Sequence, residues 1–253
     1  MYSLLVHIAA FSTMVIYYAL ISIPYIIIQF FPEKQRAHCM RALVLGMGKC
    51  VIYIAMRPFV KIKYTDAAGG IDVPAIYVCN HRSGSDAFLM AAFDKEAIQI
   101  VNGWPMKLPV FGFNARRCGY IDATKAGMED FAGSFHRCME EGVSILVFPE
   151  GHRSQSRAMG TFHSGVFHMA MELGIPIYPC CITGNENFPD RHFRFHPTRC
   201  IHIKRLPPLM PEDFANMPSA FVLKRKVHQI ITAETALMDA ELDAQNQENS
   251  HHA

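Results

Sequence analysis

Ala75-Ile76-Tyr77-Val78-Cys79, then Asn80-His81-Arg82-Ser83-Gly84-Ser85-Asp86, then Ala87-Phe88-Leu89-Met90-Ala91-Ala92-Phe93, is the stretch from which the rest of the chain is read. A short apolar run rich in β-formers predicts a buried strand, and the apolar run after Asp86 predicts the start of a helix. The heptapeptide is the turn between them, with Ser85 or Asp86 typed to cap the helix. A His and an Asp held on one strand-to-helix turn make a base and the carboxylate that orients it, so His81 and Asp86 are the candidate catalytic pair. The same spacing also fits a capping Asp beside an unrelated turn His, so the pair needs a second feature to carry it.

Outward from this stretch the texture repeats. Val60-Lys61-Ile62-Lys63-Tyr64 alternates as a strand, and further strands are predicted at Ala97–Val101, Ser144–Phe148, from Ile175-Pro176-Ile177-Tyr178-Pro179, and at Thr198–Lys204. Helices are predicted from about Asp86, over Lys125–Glu140 and over Phe162–Leu173, with a short apolar segment around Leu108–Phe113. Strands alternating with helices predict an α/β fold, a largely parallel mixed sheet flanked by helices. After Pro207-Pro208 and Pro211 a helix is expected from Pro218 to about Ala244, with Phe221, Val227, Ile230, Ile231 and Leu237 as its apolar face. Residues 245–253 are polar and are expected to be a disordered tail.

The second feature is Phe148-Pro149-Glu150-Gly151-His152-Arg153-Ser154, which leaves its strand as the His81 turn leaves the earlier one. In a parallel sheet such turns share one edge, where ligands bind, so a base, a carboxylate and an Arg meet in one cleft. The planar fork of Arg153 suits a pair of phosphate oxygens, and Gly151 lets backbone approach a ligand closely.

Asn80-His81 with Asp86, and Phe148-Pro149-Glu150-Gly151 with Arg153-Ser154, resemble the first and third sequence blocks of the glycerolipid acyltransferase family, which includes the 1-acylglycerol-3-phosphate acyltransferases. Ile175–Pro179 is similar to the fourth block, and the resemblance covers about residues 59–205 with block order intact. It implies transfer of a fatty acyl group from an acyl thioester, acyl-CoA or acyl-carrier protein, to the free hydroxyl of 1-acyl-glycerol-3-phosphate, giving phosphatidic acid. The acyl donor is a substrate, and no cofactor is implied. His81 would be the general base and Asp86 would fix its ring; Asn80, Glu150, Gly151 and Arg153 would serve substrate binding, with an ordering role in the turn as an alternative for Glu150. Two departures bear on the acceptor. The second block reads Gly119-Tyr120-Ile121-Asp122-Ala123-Thr124, so the Arg expected at Ala123 is missing, with Lys125, Arg116 or Arg117 as candidate substitutes. Phe162-His163-Ser164-Gly165 lacks the Lys usual there. A lyso-ornithine or other lysolipid is therefore the alternative acceptor.

Tyr2–Phe31 carries no Asp, Glu, Lys or Arg. As one helix it would run about 45 Å against a bilayer core of about 30 Å, with Pro24 as a kink or stop. It either spans the bilayer or lies in one leaflet. Ala42–Met56 is too short to span comfortably and reads as interfacial. Residues 1–58 are therefore expected to be membrane-associated helices ahead of an acyltransferase domain at 59–244. Lys34, Arg36 and Arg41 follow the apolar run, which predicts the inner membrane with the domain facing the cytoplasm. Hydrophobic content of 51% agrees with membrane lipids as partners. A net charge of +2 gives no preference for nucleic acid. Eight cysteines without a C-x-x-C pair read as buried free thiols in a reducing compartment. Thirteen histidines show no H-E-x-x-H or paired Cys-His spacing, so no metal site is expected.

Overall fold

In the computed structural model, which describes residues 1–125 and 127–251, helices precede the sheet. The helices α1 (Tyr2–Leu20), α2 (Ser22–Ile28) and α3 (Glu33–Cys50) lead through a π-helical turn, Val51–Ala55, into β1 (Lys61–Asp66). Strand β2 (Ile76–Cys79) passes through the His81 turn into α4 (Asp86–Leu89), which a 3-10 turn extends to Phe93. Next come β3 (Ala97–Val101), α5 (Pro109–Cys118), β4 (Ile121–Asp122), α6 (Met128–Glu140) and β5 (Ser144–Val147). The chain continues through α7 (Gly165–Leu173), β6 (Ile177–Thr183), β7 (Cys200–Arg205), α8 (Pro211–Phe214) and α9 (Ala220–His251).

The seven strands form one sheet in the order β1-β7-β6-β2-β5-β3-β4, parallel at every pairing except β6 with β7. The fold is the α/β arrangement expected, with its mixed sheet. The central strands β2, β5 and β6 show no polar alternation because both of their faces are covered, whereas the edge strand β1 alternates with Lys61 and Lys63 exposed. Ile76, Val78, Ile145, Val147, Ile177 and Cys181 point into one core with Phe135 of α6, Phe167 of α7 and Val227 of α9. Their neighbours Tyr77, Cys79, Leu146, Tyr178, Cys180 and Ile182 point into the other with Leu89 of α4 and Val51-Ile52. All eight cysteines are free thiols, five of them buried.

The N-terminal apolar run is broken ahead of Pro24, in line with the kink or stop expected there. Helix α1 stops at Leu20, four residues before Pro24, whose ring would collide with that carbonyl in a continuous helix. Pro24 instead occupies the first turn of α2, where no N–H is needed. The helix expected over Ala42–Met56 begins at Glu33, so Lys34, Arg36 and Arg41 lie within α3 rather than in a linker ahead of it. Tyr2–Leu20 and Glu33–Ala55 are both long and apolar enough to cross a membrane by length and composition. Yet α1 is fastened to the sheet domain at both ends. Tyr2 Oη donates to Phe59 O at 3.1 Å and Phe195 N–H donates to Ser3 Oγ at 3.0 Å. At the other end Tyr25 Oη donates to Asn114 Oδ1 at 2.9 Å and Asn114 Nδ2 to Tyr18 Oη at 3.3 Å. The buried Arg41 bonds Glu96 Oε1 at 2.6 Å and Cys118 O at 3.2 Å, tying α3 to the same domain.

Three further differences have simple causes. The apolar segment near Leu108 is the first half of α5, which Gly119 ends in the left-handed conformation at φ 82°. Helix α9 runs to His251, beyond the expected end near Ala244, so residues 245–251 of the anticipated tail are helical; residues 252–253 lie outside the described residues. Its buried stripe is Leu223, Val227, Ile231, Met238 and Leu242, whereas Phe221 and Leu237 point outward. Thr235 and Asp239 continue the stripe at i+4 spacing as buried polar residues. We expect Leu223→Ala to destabilise the fold by about 3 kcal/mol and Leu237→Ala by under about 0.5 kcal/mol. Thermal unfolding of the two variants in one detergent measures the difference.

Candidate active site

Register places the two turns side by side. Val78 pairs with Val147, so the chain leaving β2 at Asn80 and the chain leaving β5 at Phe148 emerge level on the same edge. The His81 ring stacks on Phe148, centroids 4.4 Å apart at 24°. His81 Nδ1 lies 2.7 Å from Asp86 Oδ2. The same Oδ2 accepts the N–H groups of Arg82 at 2.8 Å and Ser83 at 2.9 Å, and Asn185 Nδ2 donates to Oδ1. Asp86 is fully buried, and this set of donors replaces the water that an ionised carboxylate loses. With Nδ1 taken, the nitrogen left free is Nε2, on a ring that lines a cleft. The expected pair is thus brought together, with geometry suited to a general base and its orienting carboxylate.

The remaining predicted residues divide. Arg153 and Gly151 line the cleft with His81. Arg153 stacks over the Phe193 ring at 5.1 Å and has no ion pair with any described residue, so its fork is available to an anion. Gly151 has φ +72°, which favours glycine, and a Cβ there would lie 3.1 Å from His163 Nε2, so that ring would have to give way. Glu150 and Asn80 do not line the cleft. Glu150 is buried, with Oε1 accepting His81 N–H and Oε2 accepting Gly160 N–H, both at 2.7 Å. Asn80 exchanges two hydrogen bonds with the backbone of Ile182, at 2.9 and 2.8 Å, and braces β2 against β6. Each polar atom of both side chains is already bonded to backbone and neither residue reaches the cleft, a geometry that suits Glu150 to ordering the turn.

The N–H groups of residues 81, 82 and 83 are therefore all bonded to buried carboxylates. None of the three is free to receive an oxyanion. Of the candidate substitutes for the missing Arg at Ala123, none lines the cleft. Arg116 donates to Met106 O at 2.8 Å, Arg117 sits on Phe113, and Lys125 is exposed. Ala123 and Thr124 do line it.

Two elements that sequence reading passed over complete the site. The loop between β6 and β7 brings Arg191 and Phe193 to the cleft. It is tied to the turn by Asn185 and by Ser83 Oγ donating to Pro189 O at 2.8 Å. Asp190 gathers it, accepting His192 N–H, Arg194 N–H and the His196 ring at 2.8, 2.9 and 2.8 Å; the His196 bond leads in holding this carboxyl well below its ordinary range. Helix α9 supplies the second. Arg82 is buried and donates to both oxygens of Asp239, at 2.8 and 2.7 Å, and to Glu186 Oε1 at 2.6 Å. One residue thus presents its N–H to Asp86 and its side chain to α9.

The cleft measures about 1450 Å³. Near His81 it is rimmed by Arg153, Arg191, His152 and His163; away from them it runs between the sheet domain and the N-terminal helices. That inner part is apolar, walled by Met14, Val44, Met47, Phe88, Phe111 and Phe131. A charged end and a long apolar end suit an amphipathic ligand.

The structure thus sets a His–Asp pair at the carboxyl edge of the parallel strands, beside an amphipathic cleft. Residues 61–183 match the family model described as Acyltransferase. The chain is 27% identical over 178 residues to the 1-acyl-sn-glycerol-3-phosphate acyltransferase LPAT1 of Arabidopsis thaliana, covering 68% of this chain and 48% of that one. It is 27% identical over 177 residues to the 1-acyl-sn-glycerol-3-phosphate acyltransferase of Salmonella typhimurium, covering 67% and 68%. Against the plant relatives it spans about half of their length. In fold it is similar to the 1-acyl-sn-glycerophosphate (LPA) acyltransferase PlsC from Thermotoga maritima, with a TM-score of 0.74, 18% identity and 94% of both chains covered. Residues 61–183 thus carry the match to the acyltransferase family model, and 94% of the chain carries the matching fold.

We expect Asp239→Ala to loosen the His81 turn and lower the turnover number toward the ~10²-fold that a ~1 Å misplacement can cost. Steady-state kinetics alongside unfolding curves check this: kcat should fall by more than KM rises, and Asp239→Glu should recover part of the loss.

Proposed function

We propose that this protein is a 1-acylglycerol-3-phosphate O-acyltransferase. It moves a fatty acyl group from an acyl thioester, acyl-CoA or acyl-carrier protein, to the free hydroxyl of a lysophosphatidic acid, giving phosphatidic acid. The observation that carries this reading is the 2.7 Å contact of His81 Nδ1 with the buried Asp86, on a ring lining an amphipathic cleft. The names of the relatives supply the acceptor.

The chemistry follows from the groups present. The acceptor hydroxyl oxygen attacks the thioester carbonyl carbon while His81 Nε2 takes its proton. Asp86 steadies the resulting imidazolium through Nδ1–H. The tetrahedral intermediate then expels the thiolate, which takes the proton back as a thiol, and the base is regenerated. The nucleophile belongs to the substrate. The serines of the turn fit that account, since Ser83 and Ser85 are both buried and cannot meet an acyl group. Arg153, with Arg191 from the β6–β7 loop, holds the acceptor phosphate, and the second cation takes over from the Arg absent at Ala123. One acyl chain lies in the apolar run of the cleft.

The N-terminal pair docks the enzyme on the cytoplasmic face of the inner membrane. Helix α1 is about 28 Å long, close to a bilayer core, but its two ends are both bound to the domain. That favours lying along the leaflet with Leu4, Ile8, Phe11 and Ile16 turned to lipid over crossing it.

His81→Ala and Asp86→Ala are expected to lower acyl transfer by about 10²–10⁴-fold with vesicle binding intact. Near-normal turnover of His81→Ala, or a trapped covalent acyl-enzyme, would sink the mechanism. Arg153→Ala and Arg191→Ala are each expected to raise the acceptor KM and leave the donor KM unchanged. An assay of labelled acyl thioester with lysophosphatidic acid and lyso-ornithine lipid side by side tests the acceptor, and preference for the second would overturn the phosphate assignment.

A further inference from the structure

The segment from Trp104 to Arg117 carries an apolar ridge that neither core accounts for. Trp104, Leu108, Val110 and Phe113 are 58%, 45%, 65% and 37% exposed. They are half of the large apolar side chains exposed beyond Phe59 among the described residues, gathered within ten positions. The ridge is edged by Lys107, Arg116 and Arg117, none of which forms an ion pair with a described residue. Arg117 lies over the Phe113 ring at 5.1 Å and Arg116 turns back to Met106 O, so two of the cations are held at the ridge. An indole and aliphatic side chains flanked by unneutralised cations are the composition that settles at the headgroup level of an anionic bilayer.

Position argues the same way. The inner side of α5 holds Asn114, buried and bonded to both Tyr18 and Tyr25, so α5 packs directly against α1 and α2 and its exposed ridge lies beside them. Trp104, Leu108 and Val110 also line the cleft. We propose that residues 104–117 are a second bilayer-contacting element, which enters the same leaflet as the N-terminal helices and opens the mouth of the cleft into lipid rather than water. This rests on the docking of the N-terminal pair proposed above, and adds to it the route by which a lysolipid reaches His81. A protein partner would not account for the continuity with α1 and α2, nor for the ridge forming the rim of a lipid-sized cleft.

Trp104 is the sole tryptophan of the chain, so the full-length protein carries its own reporter. The experiment mixes it with phosphatidylcholine–phosphatidylglycerol vesicles and reads flotation and tryptophan emission together. We expect co-flotation, a blue-shifted maximum, loss of acrylamide access, and stronger quenching by lipids brominated near the headgroup than near the chain end. Val110→Asp, at an exposed position the fold tolerates, should restore acrylamide access while the protein still floats. Flotation with Trp104 unshifted and open to acrylamide would overturn this proposal and leave the docking of the N-terminal helices standing. Failure to float would remove both. A concentration-dependent blue shift without vesicles would make the ridge a contact between copies and overturn the lipid assignment.

Discussion

Asp86 is the constraint on which the site depends. A carboxylate with no exposure is tolerable only where hydrogen bonds replace its lost hydration. Here those bonds come from His81, from the N–H groups of Arg82 and Ser83, and from Asn185. Satisfying the charge therefore folds the turn. Glu150 does the same from the neighbouring strand, taking the N–H of His81 on one oxygen and of Gly160 on the other. Between them the two carboxylates fix the backbone before and after the imidazole, and only Nε2 is left to act. The cost is that the turn gives up three N–H groups that would otherwise be available for charge developing in the cleft.

Support for this turn reaches far along the sequence. Arg82 meets Asp239 on α9, Ser83 meets Pro189, and Asp86 meets Asn185. The buried Arg82–Asp239 pair is worth little as net stabilisation, because two desolvated charges roughly cancel their attraction. Its value is directional, since a bidentate pair permits one placement of Arg82 and hence of its N–H beneath Asp86. Helix α9 therefore covers the core through Leu223, Val227 and Ile231, and at its next two turns holds the site.

What the sequence revealed follows from which interactions are local. Strands β2 and β5 were legible because strands covered on both faces leave unbroken apolar runs, and His81 with Asp86 because both sit on one turn. Arg191 was not, since its place at the cleft depends on a loop gathered by Asp190 and anchored to a turn 106 residues earlier. Asn80 and Glu150 sit in the right blocks, but block membership does not say which way a side chain points; β6 and Gly160 claimed their polar atoms. In α9 the pattern misled because the buried stripe contains Thr235 and Asp239, while Phe221 and Leu237 lie outside it. Polar residues on an inner face mark a partner elsewhere, and no periodicity analysis names that partner.

The cleft also has an energetic requirement that its surroundings meet. Each methylene drawn from an apolar phase into water costs about 0.8 kcal/mol, so moving a chain of ~16 carbons through solvent would cost on the order of 12 kcal/mol. That is about two-thirds of the ~17 kcal/mol barrier of a turnover near one per second, and no contact at the reacting centre recovers it. A cleft whose inner part is walled by Met14, Val44 and Met47 of the N-terminal helices, and whose rim includes Trp104 and Leu108, lets the chain slide between two apolar phases at little cost. On the proposed function, Arg153 and Arg191 would then need only to select the headgroup, and the same path would return a two-chain product to the leaflet. If the proposed docking holds, lying flat on the bilayer would belong to the catalytic problem as much as the imidazole does.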